Sequence, residues 1–311
     1  MTMTRTRPGW MAVELRPDQA RVAHVLRSGA QRPRLALRAG FERTGSDADD
    51  LARLRRLLGL QHYRCTTSVD SSAYQIVALN APAVSAAEMN AALRWGIKDS
   101  LDFPAEDAMI ESLAVPRDGV APGRPASILA VAARRDRVGA RVEAFQRSRV
   151  PLKVIDVAET AQRNLAALFE QGDRGLAFLS FTDKGGLLTF TRRGELYALR
   201  RIDVVASALA DDAPAEVREQ RFERIALELQ RSLDNFDRLF SQVALQGVLV
   251  APHEGREALL GYLRDNLALP VESADLDSVV DCDENARFAS VAEQADWLHV
   301  VGLALREEAA A

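Results

Sequence analysis

Short apolar runs come three at a time, and they do so twice along the chain. The first set lies at residues 10–15, 20–26 and 35–41, with a turn at Arg16, Pro17 and Asp18 after the first run. The second lies at residues 176–181, 187–192 and 196–201, with turns over residues 183–186 and at Arg193-Gly194. Runs of this length bounded by turn formers read as β-strands. Each set leads into polar residues and then a long helical pattern. A duplicated β-β-β-α unit predicts two related half-molecules facing each other.

Between and after the two sets the period lengthens. Ser46 opens a helix through Leu58, with Asp47, Asp49 and Asp50 in its first turn and Gly59 ending it. Ser85 with Glu88 three residues on forms a capping box, and Met89, Leu93, Gly96, Ile97 and Leu101 recur at helical spacing up to Phe103-Pro104. Residues 63–69, 74–79, 109–115 and 128–133 read as strands, residues 117–125 as a Gly/Pro loop, residues 134–147 as a helix and 154–157 as a short buried strand. The stretch from about 74 to 133 thus forms a small α+β subdomain inserted in the first half. Pro214 opens the strongest helix, with Phe222, Ile225, Leu229, Leu233, Phe236 and Phe240 on one side and charges on the other. Residues 248–251 form an all-apolar strand, residues 257–266 a helix, and 291–306 a last helix in which Gly302 allows close helix contact.

Composition bounds the function. A 311-residue chain with 48% apolar and 27% charged residues is an ordinary two-domain globular protein. The net charge of −4, with arginines dispersed among acids, gives no basic stripe for nucleic acid. Cys65 and Cys282 stand alone, and the four histidines lack metal-ligand spacing, each reading as a surface or satisfied side chain. No run reaches the ~18 apolar residues of a spanning helix, and the opening MTMTRTRPGW lacks the apolar core of a secretory signal. P-loop, Rossmann and nucleophile-elbow signatures are absent.

Several stretches carry a family resemblance. Ala92-Leu93-Arg94-Trp95 followed by Leu101-Asp102-Phe103-Pro104-Ala105-Glu106-Asp107, then Val154-Ile155-Asp156-Val157-Ala158-Glu159, then Leu229-Gln230-Arg231-Ser232-Leu233-Asp234-Asn235-Phe236, and finally Val301-Gly302-Leu303-Ala304-Leu305-Arg306, occur in this order. The set resembles the PilM family of type IV pilus assembly proteins, closest to its MshI branch of mannose-sensitive haemagglutinin pilus systems. The cytoplasmic domain of GspL and FtsA are more distant likenesses. The resemblance implies an α/β, actin-like (ribonuclease H-like) two-domain fold with an inserted small α+β subdomain. Its first half spans residues 1–155 with the insert at about 74–133, its second half residues 156–290, and a C-terminal helix at 291–308 packs back on the first half. The resemblance also implies a cytoplasmic platform that is peripheral to the inner membrane. It would hold the N-terminal cytoplasmic tail of a PilN-type inner-membrane protein and meet other assembly components. Family position puts the tail groove near Tyr74, Trp95 and Phe103. A core role for Trp95 stays open at this point.

PilM proteins bind ATP, and an actin-like site needs a carboxylate ending the first strand and a glycine in each phosphate hairpin, where backbone N–H groups approach the phosphates. The family pattern is Asp-x-Gly, Asp-x-Gly and Gly-Gly. Here the first position reads Glu14-Leu15-Arg16, with Arg in place of Gly. The second reads Ser180-Phe181-Thr182 when anchored on the Arg193-Gly194 turn; a rival register uses Asp183-Lys184-Gly185 with Thr189. The third reads Ala251-Pro252-His253-Glu254-Gly255, with one glycine left, His253 and Glu254 projecting where adenosine would stack, and Pro252 and Gly255 serving equally as punctuation before the next helix. These departures predict a scaffold without a cofactor or catalytic residues, built on a degenerate nucleotide site. The alternatives are a working ATPase that uses Mg-ATP through Glu14 and Asp183, and a GspL-like platform of type II secretion.

Overall fold

The computed structural model describes residues 6–29, 31–118, 125–212 and 214–307. Parts of the expected 117–125 loop and the end of the expected 291–308 segment lie outside the described residues. The chain forms β1 (Trp10–Leu15), β2 (Gln19–Leu26), β3 (Arg34–Glu42), α1 (Asp47–Leu58), β4 (Arg64–Ser68), β5 (Tyr74–Asn80), α2 (Ala86–Ile97), β6 (Ala108–Ala114), β7 (Ser127–Arg134), α3 (Arg135–Ser148), β8 (Leu152–Asp156) and α4 (Ala158–Ala166). There follow β9 (Gly175–Thr182), β10 (Gly185–Arg192), β11 (Glu195–Ile202), α5 (Ala215–Leu239), β12 (Leu245–Val250), α6 (Arg256–Asn266), β13 (Val271–Ser273), β14 (Asp281–Cys282) and α7 (Val291–Ala304).

Two compact units result. The first comprises Met1–Val115, Pro125–Ala158 and Leu303–Ala311. Its main sheet runs β3-β2-β1-β4-β8, with the β1-β2-β3 meander antiparallel and β4 and β8 parallel to β1. Met11, Val13, Ala20 and Val22 line one face of this sheet and pack with Leu51 and Leu54 of α1 and Phe145 of α3. Helix α1 begins where Ser46 and Asp49 cap each other's backbone N–H groups and stops at Gly59 in the left-handed region. A separate three-stranded antiparallel sheet, β5-β7-β6, is covered by α2 through Leu93 and Ile97.

The second unit comprises Pro116–Arg124 and Glu159–Gly302. Its sheet runs β11-β10-β9-β12-β13. The β9-β10-β11 meander repeats the pattern of β1-β2-β3, and parallel β12 beside β9 repeats β4 beside β1. β9 is buried along nearly its whole length, which is why it reads as a continuous apolar run. Arg193 and Gly194, both at positive φ, form the two-residue turn that matches the twist of the β10-β11 hairpin. Helix α5 lays Phe222, Ile225, Leu229 and Phe236 inward, and the Phe236 ring stacks on Phe190 at 4.7 Å. Gly302 of α7 lets that helix touch the backbone of α4: a Cβ there would lie 2.4 Å from the Ala161 carbonyl oxygen.

Three features differ from the sequence expectations. The β9–β10 turn is the two-residue Asp183-Lys184 rather than residues 183–186, because Thr182 Oγ1 accepts from Lys184 N–H at 3.1 Å and closes the corner itself. Trp95 is not core but 75% exposed, since it lies about 200° around α2 from both Leu93 and Ile97, the residues that face the sheet. Helix α4 went unseen: it is only nine residues long, and although Ala158, Ala161 and Leu165 recur at helical spacing, the polar residues Glu159, Thr160, Gln162 and Asn164 are buried too and obscure that short stripe.

Candidate functional site

The first hairpin corner is held by charge. Arg16 N–H donates to Gln19 O at 2.9 Å, closing the turn. Arg43, beyond β3, donates its backbone N–H to Asp18 O and its side chain to Arg16 O, both at 2.9 Å. Its guanidinium is in turn gripped by buried Asp50 at 3.0 Å and by Asp47 at 2.5 Å. The corner is thereby tied to the start of α1. On the same edge of β1 the Glu14 carboxylate, largely buried, accepts from Arg16 Nε at 2.8 Å. Positions i and i+2 share a strand face, which is what lets this pair form. Arg141 of α3 lies 3.4 Å from Asp47; burial draws its guanidinium below the usual range, and Asp47, Glu14 and Asp70 oppose that pull. Glu14 therefore sits among arginines.

The second corner is filled by hydrophobic packing and a buried amide. Ser180 Oγ donates to Gln162 Oε1, while Gln162 Nε2 donates to Phe178 O, Leu187 O and Thr189 Oγ1 at 2.9, 3.1 and 3.0 Å. Ser180 and Thr189 thus face inward and are saturated by α4. Gln162 was missed by sequence reasoning, and nothing in its spacing signals it. Asp183 stands exposed on the turn with Lys184 3.8 Å away, and Thr182 is spent on closing that turn. The rival trio Asp183, Gly185 and Thr189 is not brought together: Thr189 is fully buried mid-strand, opposite Phe178. Gly185, at φ +117°, and Gly186 serve packing, since a Cβ on Gly186 would meet the Phe181 ring at 2.8 Å.

The third turn completes a small aromatic plug. His253 is buried with its ring edge-on to Phe181, centroids 5.4 Å apart. Its Nδ1–H donates to Glu254 O at 2.7 Å, and its Nε2 is buried with no hydrogen-bond partner, which corrects the expectation of a surface or satisfied histidine. Burial lowers its pKa from the ordinary 6.5. Gly255 is required by fold geometry: it has φ +73°, and a Cβ there would lie 2.0 Å from Leu209 O.

Of the expected groove residues, only Trp95 is accessible. Tyr74 is core; its hydroxyl accepts from Ala158 N–H at 3.1 Å. Phe103 is also core, beneath the Arg134 guanidinium at 4.4 Å. Both were placed in the groove by family position, but each fills a core: Tyr74 packs with Val69, Val138 and Val157, and Phe103 with Leu93 and Ile97. Lys98 Nζ lies 5.6 Å from the centre of the exposed Trp95 ring.

Two meanders of the same pattern, each flanked by a parallel strand and backed by helices, define the actin-like class. No protein-family model and no curated protein matches the sequence. The structure is similar to a chain of the PilM-PilN type IV pilus biogenesis complex, at TM-score 0.67 and 20% identity, over 96% of this chain and 98% of that one. It is also similar to a protein of Bacteroides thetaiotaomicron with an actin-like ATPase fold, at TM-score 0.53 and 9% identity, over 90% of this chain and 95% of that one. The cytoplasmic domain of EpsL, an inner-membrane component of the Vibrio cholerae type II secretion system, aligns at TM-score 0.42 and 14% identity, over 65% of this chain and 75% of that one. The first two likenesses make the fold actin-like. Among the described residues, no helix is long and apolar enough to cross a membrane.

Proposed function

We propose that this chain is a cytoplasmic, PilM-like scaffold of the MshI type that binds the cytoplasmic tail of a PilN-type inner-membrane protein without using nucleotide. The observation that carries the reading is the likeness, over nearly the whole of both chains, to a chain of the PilM-PilN complex. The filled corners support the second part. A Mg²⁺ ion approaching Glu14 meets Arg16 already bonded to it and Arg141 beside it. Side chains replace glycine at the first corner, and His253 with Phe181 fills the place where adenosine would stack. These residues do not fit Mg-ATP. The exposed Trp95 face of α2 is the part of the expected groove open to a tail, which would dock there in extended form.

The test uses the intact protein and two titrations. Of its three tryptophans, Trp10 and Trp297 are buried, so a change in the exposed fluorescence reports on Trp95. A synthetic PilN-type tail is expected to bind at roughly 10–50 µM or tighter, with a fluorescence shift that Trp95→Ala removes. Isothermal titration with Mg-ATP is expected to give no heat at the same protein concentration. Failure of every pilus and type II secretion tail to bind overturns the platform; micromolar ATP binding abolished by Asp183→Ala overturns the nucleotide-free reading.

A further inference from the structure

The outward face of α5 carries a charge pattern that matches itself when reversed. Leu227 stands near the middle of the helix and is 45% exposed. At 100° per residue, Glu216, Gln220, Glu223, Arg231, Asp234 and Arg238 all fall within about 40° of its direction, on one narrow stripe. All of these except Leu227 are polar, and all are exposed. The inner face is occupied by Phe222, Ile225, Leu229 and Phe236, so the stripe faces away from the unit's own core.

A solitary exposed leucine is ordinary; the order of charges about it is not. Reversing the stripe about Leu227 sets position 227−k against 227+k. Glu223 then meets Arg231, Gln220 meets Asp234, and Glu216 meets Arg238. Each pairing is an acid with a base or an amide donor with a carboxylate, and no like charges meet. That is the requirement of an isologous two-fold contact, in which each pair occurs twice. We propose that α5 is a self-association surface on which a second copy of this chain docks antiparallel, with Leu227 on the dyad.

The geometry suits side-chain reach. Antiparallel helices pack 8–10 Å apart at about 20°. The Glu223–Arg231 pairs then lie about 6 Å along the axis from the dyad, and the Glu216–Arg238 pairs about 16 Å. Long Glu and Arg side chains span such offsets. Existing intrachain partners do not block it: Arg231 reaches half-buried Glu228 at 3.6 Å, and Arg238 reaches Asn235 at 2.7 Å, and both arginines are themselves exposed. One helix pair with a single apolar centre buries less than a permanent dimer requires, so the contact is weak, steered by charge and screened by salt. A chain concentrated on an assembly gains most from such a contact.

The test is a charge-swap series on the full chain by sedimentation velocity. Wild type is expected to form a dimer with a dissociation constant of about 10⁻⁵–10⁻³ M in low salt, and to dissociate as salt rises. Glu223→Arg sets Arg against Arg231, and Arg231→Glu sets Glu against Glu223, so each variant alone is expected to be monomeric, weakened at least about tenfold. Mixing the two restores both pairs and is expected to give a heterodimer. A folding defect cannot be rescued by mixing. Wild type remaining monomeric at about 1 mM overturns the proposal. So does a dimer that either single swap leaves intact, or two monomeric variants that do not combine.

Discussion

Gly302→Ala and Gly261→Ala are the same substitution in two helices of the same unit, and the structure gives them opposite signs. Replacing a helical glycine with alanine is intrinsically favourable by up to about 1 kcal/mol, most in a helix interior such as that of Gly261 and less in a last turn such as that of Gly302. At Gly261 in α6 the new methyl meets nothing within 4 Å, so that gain stands alone. At Gly302 the methyl would lie 2.4 Å from the Ala161 carbonyl oxygen, 2.9 Å from its carbon and 3.0 Å from Leu165 Cδ1. Two of those atoms are helix backbone and cannot rotate away, so α7 must move about 1 Å off α4; overpacking of this kind costs about 1–3 kcal/mol. The same movement stretches the buried bond from Asn164 Nδ2 to Gly302 O, now 3.0 Å, whose loss adds about 1–3 kcal/mol. Set against the propensity gain, Gly302→Ala is expected to destabilise by about 3 kcal/mol. Scanning calorimetry reads the difference: a shift of about 2–4 °C per kcal/mol lowers the midpoint by about 6–12 °C for Gly302→Ala and raises it by about 2–4 °C for Gly261→Ala. Two shifts of the same sign would refute the claim that close backbone approach holds glycine at position 302.

Three further outcomes follow from buried groups. Burial, the largest cause, lowers His24 and His253 below the ordinary 6.5. The unfolded chain takes up those protons near pH 6.5 and the folded chain does not, so their stability contribution is complete above pH 6.5 and is lost as pH falls below it. Chemical denaturation at a series of pH values should show that decline, and the His24→Gln, His253→Gln double variant should flatten it. Ser180→Ala leaves the buried Gln162 Oε1 without its donor and is expected to cost about 1–3 kcal/mol; combined with Gln162→Ala, the losses should fall short of additivity by at least about 0.5 kcal/mol, as urea unfolding would show. Cys65 is fully buried and its thiol is pushed up to about 12, whereas Cys282 is partly exposed. A disulfide reagent at mild alkaline pH should therefore titrate one thiol in the native protein and two in denaturant, and rapid reaction of both in the native protein would contradict this burial.

What the sequence made legible was what the backbone and the apolar faces decide. The two meanders, the cap at Ser46, the stop at Gly59, the inner face of α5 and the closeness required at Gly302 each follow from a local rule, and each is found where the rule puts it. The exposure of Trp95 was implicit in the same periodicity that placed Leu93 and Ile97 inward. Illegible were the residues whose roles depend on partners distant in sequence. Helix α4 is short and buries polar residues beside its few apolar ones, so its stripe is hard to see, and Gln162 gains its meaning only from β9 and β10 folding over it. Family position placed Tyr74 and Phe103 on a surface, but both close hydrophobic clusters built from other elements, Tyr74 with Val138 and Val157 and Phe103 with Leu93 and Ile97. The hairpin corners show the same division. Their turns are closed by Arg16 N–H, Arg43 and Thr182, groups that belong to the chain itself, and their remaining glycines answer to the Phe181 ring and the carbonyls of Ile202 and Leu209. The shape of both hairpins is therefore set by groups of the chain itself, with Arg16 and not glycine at the first corner.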